Sequence, residues 1–187
     1  MPGQPEGPIE SDPSVTNETQ IKIIWTAPSD NGGAAIQSYG VEIDDGAGGD
    51  FRVLVGEVKD YLTFEYTVSE GISRATNYRF RYRARNHIGW SDYSDIVYIL
   101  SAKRPEKPPR PTMIETDSTS ITLALQQTTD DGGSPIVGYK LSVDAGNDFS
   151  SEFTEVSRYS NFATPFTVNT VDESLETARI YRFVFQA

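Results

Sequence analysis

WTAPSDNGGAAIQSYGVEID, residues 25–44, returns as LQQTTDDGGSPIVGYKLSVD, residues 125–144. The offset is 100 residues without a gap; it pairs Asp30 with Asp130, Gly32-Gly33 with Gly132-Gly133, Ile36 with Ile136 and Tyr39 with Tyr139. FEYTV (64–68) meets TPFTV (164–168) at the same offset, and NYRFRYRA (77–84) meets IYRFVFQA (180–187) at an offset of 103. A chain of 187 residues with this self-similarity holds two copies of one module of ordinary domain size.

Each copy reads as strands. IKIIW (21–25) and ITLAL (121–125) are β-branched and aliphatic runs of strand length. QSYGVEID and VGYKLSVD alternate apolar with polar or small residues, and YRFRYRA alternates strictly. DGAGGD and DAGND supply turns, because Gly, Asp and Asn tolerate positive φ. Strands and turns without an amphipathic helix predict an all-β antiparallel sandwich in each copy. RPEKPPRP, 104–111, has four prolines in eight residues and reads as a short stiff extended linker. The expected organisation is a domain over 1–104, a Pro-rich linker over 105–111 and a domain over 112–187.

Each copy resembles a fibronectin type III domain, an immunoglobulin-like β-sandwich. The residues that carry the likeness are Pro8 in a Pro-rich entry, Trp25 in the second strand, the PSDNGG turn, the SYGVE strand and GISRATNYRFRYRARNHIGWSDYS (71–94). Ile72 stands six residues before Tyr78, and Leu175 six before Tyr181. The resemblance implies a tyrosine corner there, with the phenol bonding back to upstream backbone. An immunoglobulin domain proper carries a Cys-Trp-Cys pattern, and this chain has no cysteine. Leu125 stands where the first copy has Trp25, a change a core accepts by repacking. The second copy ends at the equivalent of Ala84, so it lacks the counterpart of residues 86–102, the last loop and strand G. An open edge of that kind is expected to make the second domain less stable, or to be completed by another chain, giving a dimer.

Arg79, Arg81, Arg83 and Arg85 fall on alternate residues of a predicted strand. Tyr78, Phe80, Tyr82 and Ala84 then face the core, and the arginines share the outer face. Either that face is a solvated row of charge, or Trp90 and Tyr93 lie over the guanidinium planes in a cation–π ladder that stiffens the sheet edge. The ladder is the favoured expectation. WSDYS (90–94) is similar to the Trp-Ser-x-Trp-Ser signature of class I cytokine receptors, with Tyr93 replacing the second Trp, although that family's disulfides are missing here.

Net charge −11 and a pI near 4.5 argue against nucleic acid as the main partner. Half of the eight basic residues in positions 1–100 lie in the one arginine strand. No apolar run reaches transmembrane length, so direct membrane insertion of this segment is not expected. The start, MPGQPEGPIE, is not a signal peptide and reads as a piece cut from something longer. One histidine, His87, and no cysteine leave little for nucleophilic or metal chemistry. DNGG and DDGG are turns and not a phosphate loop. Asp44, Asp45 and Asp50, with Asp30, are weak Ca²⁺ candidates, their spacing unlike an EF-hand. Asn17-Glu18-Thr19 is a glycosylation sequon. The sequence therefore leads to a non-enzymatic, cofactor-free module that binds an unidentified protein partner. Its surface for that partner is expected around Arg81 and Arg83 or at Lys103 to Arg110. The parent is expected to be a larger cell-surface or extracellular adhesion-type protein. The alternatives are a cytoplasmic scaffold or cytoskeletal repeat, a receptor-like ectodomain, or an accessory domain of a secreted enzyme.

Overall fold

The structure, a computed structural model, describes residues 1–146, 152–169 and 175–187. The turn expected at DAGND, 144–148, reaches beyond the described residues. The chain divides into two compact units, Met1–Lys103 and Arg104–Ala187. Among the described residues all regular structure is strand, which makes the protein all-β.

The first unit contains β1 (Glu10–Ser11), β2 (Ile21–Ile24), β3 (Ser38–Ile43), β4 (Arg52–Val55), β5 (Glu65–Val68), β6 (Asn77–Asn86), β7 (Gly89–Trp90) and β8 (Val97–Leu100). One sheet has the order β1-β2-β5; the other runs β4-β3-β6-β7, with β8 also on β6. The second unit contains β9 (Thr112–Thr116), β10 (Ser120–Ala124), β11 (Lys140–Asp144), β12 (Phe153–Glu155), β13 (Phe166–Asn169) and β14 (Phe183–Gln186). Its sheets are β13-β10-β9 and β12-β11-β14.

The two units share registers as well as strands. Ile21 pairs with Val68 and Ile121 with Val168. Ile43 pairs with Phe80 and Val143 with Phe183. The change of offset from 100 to 103 is thus absorbed between β13 and β14, leaving both pairings intact. A slip of one residue would turn every core side chain outward, so period-two burial holds the register. On β6 burial alternates strictly, with Tyr78, Phe80, Tyr82 and Ala84 inside.

The first core gathers Ile21, Ile23, Val41, Ile43, Phe80 and Tyr82 around Trp25. Trp25 is 2% exposed and stands within 6.4 Å, ring to ring, of Tyr39, Tyr61 and Tyr82. In the second core Leu125 takes its place, and Tyr139 stacks on Phe185 at 5.1 Å with Phe162 alongside. Tyr139 and Phe185 stand where the first unit has Tyr39 and Tyr82, so the aromatic neighbours are kept while Leu125 replaces the indole between them.

The repeated Asp-Asn/Asp-Gly-Gly turn has a local cause. Asp30 accepts a hydrogen bond from the Gly32 N–H (2.7 Å), and Asn31 accepts one from the Gly33 N–H (2.9 Å). Asp130 and Asp131 do the same for Gly132 and Gly133. All four glycines have positive φ, which a Cβ would penalise. At the other end of each sandwich the Tyr78 hydroxyl donates to the Gly71 carbonyl (3.0 Å) and accepts from the Ser73 N–H (2.8 Å). The Tyr181 hydroxyl makes both bonds to the backbone of Glu176.

Candidate functional site

The outer face of the β4-β3-β6-β7 sheet is covered by its own side chains. Every residue of β3 is buried, including Ser38 and Glu42 on the side away from the core. The cover is a stack of alternating cations and rings. The Arg79 guanidinium lies over Phe51 at 5.1 Å; Arg81 lies over Phe51 at 4.1 Å and over Tyr93 at 3.9 Å. Arg83 lies over Tyr93 at 4.5 Å and over Trp90 at 4.7 Å; Arg85 lies over Trp90 at 5.4 Å. The stack crosses the middle of the sheet and not its edge, contrary to the sequence-based expectation, because β6 has β3 on one side and β7 and β8 on the other.

Ser91 and Ser94 place the two aromatic residues. The Ser91 N–H donates to the Ala84 carbonyl (2.8 Å), and the Ser91 hydroxyl accepts from the Ala84 N–H (3.1 Å). Ser94 does the same for Tyr82 at 2.7 and 3.1 Å. Each serine therefore satisfies both backbone groups of one inward-facing β6 residue. Trp90 and Tyr93, each one residue earlier, are held over the outward-facing arginines.

Each arginine also has an acid. Arg79 Nε donates to Asp44 at 2.8 Å, Arg81 to Glu42 at 2.7 Å, Arg83 to Glu57 and Arg85 to Asp60. Four cations meet four carboxylates, so the face is close to neutral and is not a basic patch. Burial opposes ionisation of Asp44, but bonds from the Arg79 backbone N–H, the Arg79 guanidinium and the Gly46 N–H outweigh it and hold the carboxyl below its ordinary pKa.

Tyr93 donates to Glu42 at 2.7 Å. Burial first, then that bond and the charge of Glu42, push its phenol up to about 12. An unfolded tyrosine titrates near 10. Below that pH both states keep the proton. Between about 10 and 12 the unfolded chain releases it first, so stability falls as pH rises, by up to about 1.4 kcal/mol per pH unit. Burial also raises Tyr39, Tyr61 and Tyr82, so unfolding measured across this range is expected to show a shallower slope in Tyr93→Phe, reduced by the Tyr93 share.

Gly40 lies opposite Arg83, beneath the Trp90 indole. A Cβ there would stand 3.1 Å from two ring atoms of Trp90. Gly40→Ala is expected to displace the indole and to cost about 1–3 kcal/mol, the usual range for overpacking. Trp90 becoming accessible to a fluorescence quencher, together with a lower melting midpoint, checks this.

The second unit keeps one rung of the stack. Asp144 accepts from Arg182 at 2.6 Å, and Arg182 lies over Phe153 at 5.4 Å, matching Asp44, Arg79 and Phe51. At the next rung Val184 replaces Arg81 and Ser142 replaces Glu42, so the charged partners are lost together. Lys140 replaces Gly40 and pairs with Glu155 instead.

The other candidates fall elsewhere. Asp44 is occupied by Arg79 and Gly46, and Asp45 caps the N–H groups of Ala47 and Gly49. Among the described residues no three His, Cys, Asp or Glu side chains are grouped to hold a metal, so Asp44, Asp45, Asp50 and Asp30 are not brought together. His87 is exposed. Asn17 is half-buried; its Nδ2 donates to the Val15 carbonyl (3.2 Å), and its Oδ1 accepts from the N–H and hydroxyl of Thr19. Phe51, Glu42, Glu57 and Asp60 had no signal of their own in the sequence beyond lying on or near strands next to β6.

The fibronectin type III domain model matches residues 7–99. Fibronectin type-III domain-containing protein 3A of Mus musculus is 33% identical over 128 residues, covering 66% of this chain and 10% of that protein. Titin of Drosophila melanogaster is 32% identical over 127 residues, covering 66% of this chain and 1% of that protein. The chain therefore spans a tenth or less of these relatives. The crystal structure of chicken CNTN1 FN1-FN3 domains superposes with a TM-score of 0.54 at 17% identity, covering 98% of this chain and 61% of that one; this likeness is one of fold.

Proposed function

The chain belongs to the fibronectin type III family, and on that premise we propose that it is a structural and protein-interaction module of a larger cell-surface or extracellular adhesion-type protein. Domains of this family are generally non-catalytic. The observation that supports the reading is the closed outer face of the first sandwich, where each arginine is taken up by a ring and a carboxylate. Such a sheet is a stiff platform that displays its loops and edges to a partner, and its guanidinium groups are already engaged. Chemical cross-linking of the parent protein in its native source tests this. Cross-links from these residues to another protein are expected, and links confined to the chain itself would overturn it.

The compartment is tested separately. Enzymatic removal of Asn-linked glycans with a mass loss at Asn17 is expected for a surface protein. The second reading is an intracellular scaffold or cytoskeletal repeat. It is favoured by the Asn17 amide, which is tied into its own turn by bonds through both Nδ2 and Oδ1. An unchanged mass supports that alternative.

A further inference from the structure

We propose that residues 104–111, RPEKPPRP, are a docking strand for a partner domain of the SH3 type, whose aromatic-lined groove takes a polyproline II helix. This deepens the interaction-module reading and rests on it.

The backbone is restricted almost throughout. Pro105, Pro108, Pro109 and Pro111 have φ fixed by their rings, and Arg104, Lys107, Pro108 and Arg110 each precede a proline, which disfavours the helical region and pushes them toward extended geometry. Only Glu106 escapes both restrictions. No helix or strand is formed from Ser101 to Pro111. One backbone bond ties the segment down, from the Glu106 N–H to the Asp130 carbonyl at 3.0 Å.

A polyproline II helix has three residues per turn and rises about 3.1 Å per residue. Pro105, Pro108 and Pro111 therefore form one ridge, with about 9 Å between successive prolines. Arg104, Lys107 and Arg110 form a second ridge at the same spacing. The result is an apolar edge beside a cationic edge, in the order Pro-x-x-Pro-x-Arg from Pro105 to Arg110. Proline-rich segments of this kind enter aromatic-lined grooves at low entropic cost, because the bound conformation already exists.

The cations of this segment differ from those of the arginine strand. On β6 the four arginines all have carboxylate partners. Arg104, Lys107 and Arg110 are exposed, and among the described residues they make no ion pair. In a chain of net charge −11, three unpaired cations on one ridge are a local feature that a carboxylate bordering the groove would complement.

The test titrates the full chain against a panel of purified SH3 domains. At least one is expected to bind, with NMR shifts confined to residues 104–111. Pro105→Ala with Pro108→Ala is expected to weaken that binding by at least about tenfold, and Arg110→Gln by a smaller factor. Unchanged melting midpoints show that these variants remain folded. Absence of any binder, or binding that survives loss of both prolines, overturns the proposal. Binding that falls only with the charges does so too, since it marks a basic segment for anionic surfaces. None of these outcomes alters cross-links made by the sandwiches, which test the module reading.

Discussion

Arg81→Val is expected to destabilise the first sandwich by about 3 kcal/mol, the lower end of the loss when one partner of a buried ion pair is removed, because the Arg81 side chain is itself 28% exposed. Glu42 is the reason. Its side chain is 8% exposed and meets Arg81 Nη2 at 2.6 Å. Without the guanidinium the carboxylate keeps only the Tyr93 hydroxyl, and Phe51 and Tyr93 lose the cation between them. The melting midpoint is expected to fall by at least roughly 10 °C for a domain of this size. The second sandwich contains the compensating change, since Val184 and Ser142 occupy these positions there. Arg81→Val combined with Glu42→Ser is therefore expected to recover much of the loss, because an apolar and small polar pair avoids burying charge.

Trp25→Ala is the other large effect, about 3–5 kcal/mol, in line with large-to-small changes in well-packed cores. Trp25 touches rings from β3, β6 and the segment before β5, so its removal opens a cavity that no single neighbour can close. Folded domains hold only about 5–15 kcal/mol in all. Hydrogen exchange is expected to rise together along β2, β3 and β6. Trp25→Phe is expected to cost much less. The indole Nε1 is buried without a hydrogen-bond partner, so the smaller ring gives up volume but no polar contact.

Much of the fold was legible because burial with period two is a property of neighbouring residues. The strands at QSYGVEID, VGYKLSVD and YRFRYRA and the inward set Tyr78, Phe80, Tyr82 and Ala84 follow from local alternation, whereas the pairing registers and the short strands β1, β4, β7 and β12 do not. The outer face was legible only on the β6 side. Arg79 to Arg85 stand in one run, but their acids lie 25–39 residues earlier in the chain, and which acid meets which arginine depends on strand pairing and loop length. Phe51 lacked a signal for the same reason. Asp44 suggested a cation site because DDGAGGD is acidic, and composition does not reveal that its carboxylate faces Arg79. Gly40 is only one of the small residues alternating along its strand in the sequence, and its purpose shows only where the Trp90 ring lies over it.

The double-mutant cycle of Arg81→Val and Glu42→Ser in thermal unfolding is the most direct test of a neutral, interlocked face. An interlocked face requires a coupling of at least about 1.5 kcal/mol, with the double variant more stable than Arg81→Val alone. Losses that add within about 0.5 kcal/mol would contradict it and return the arginines to a solvated surface.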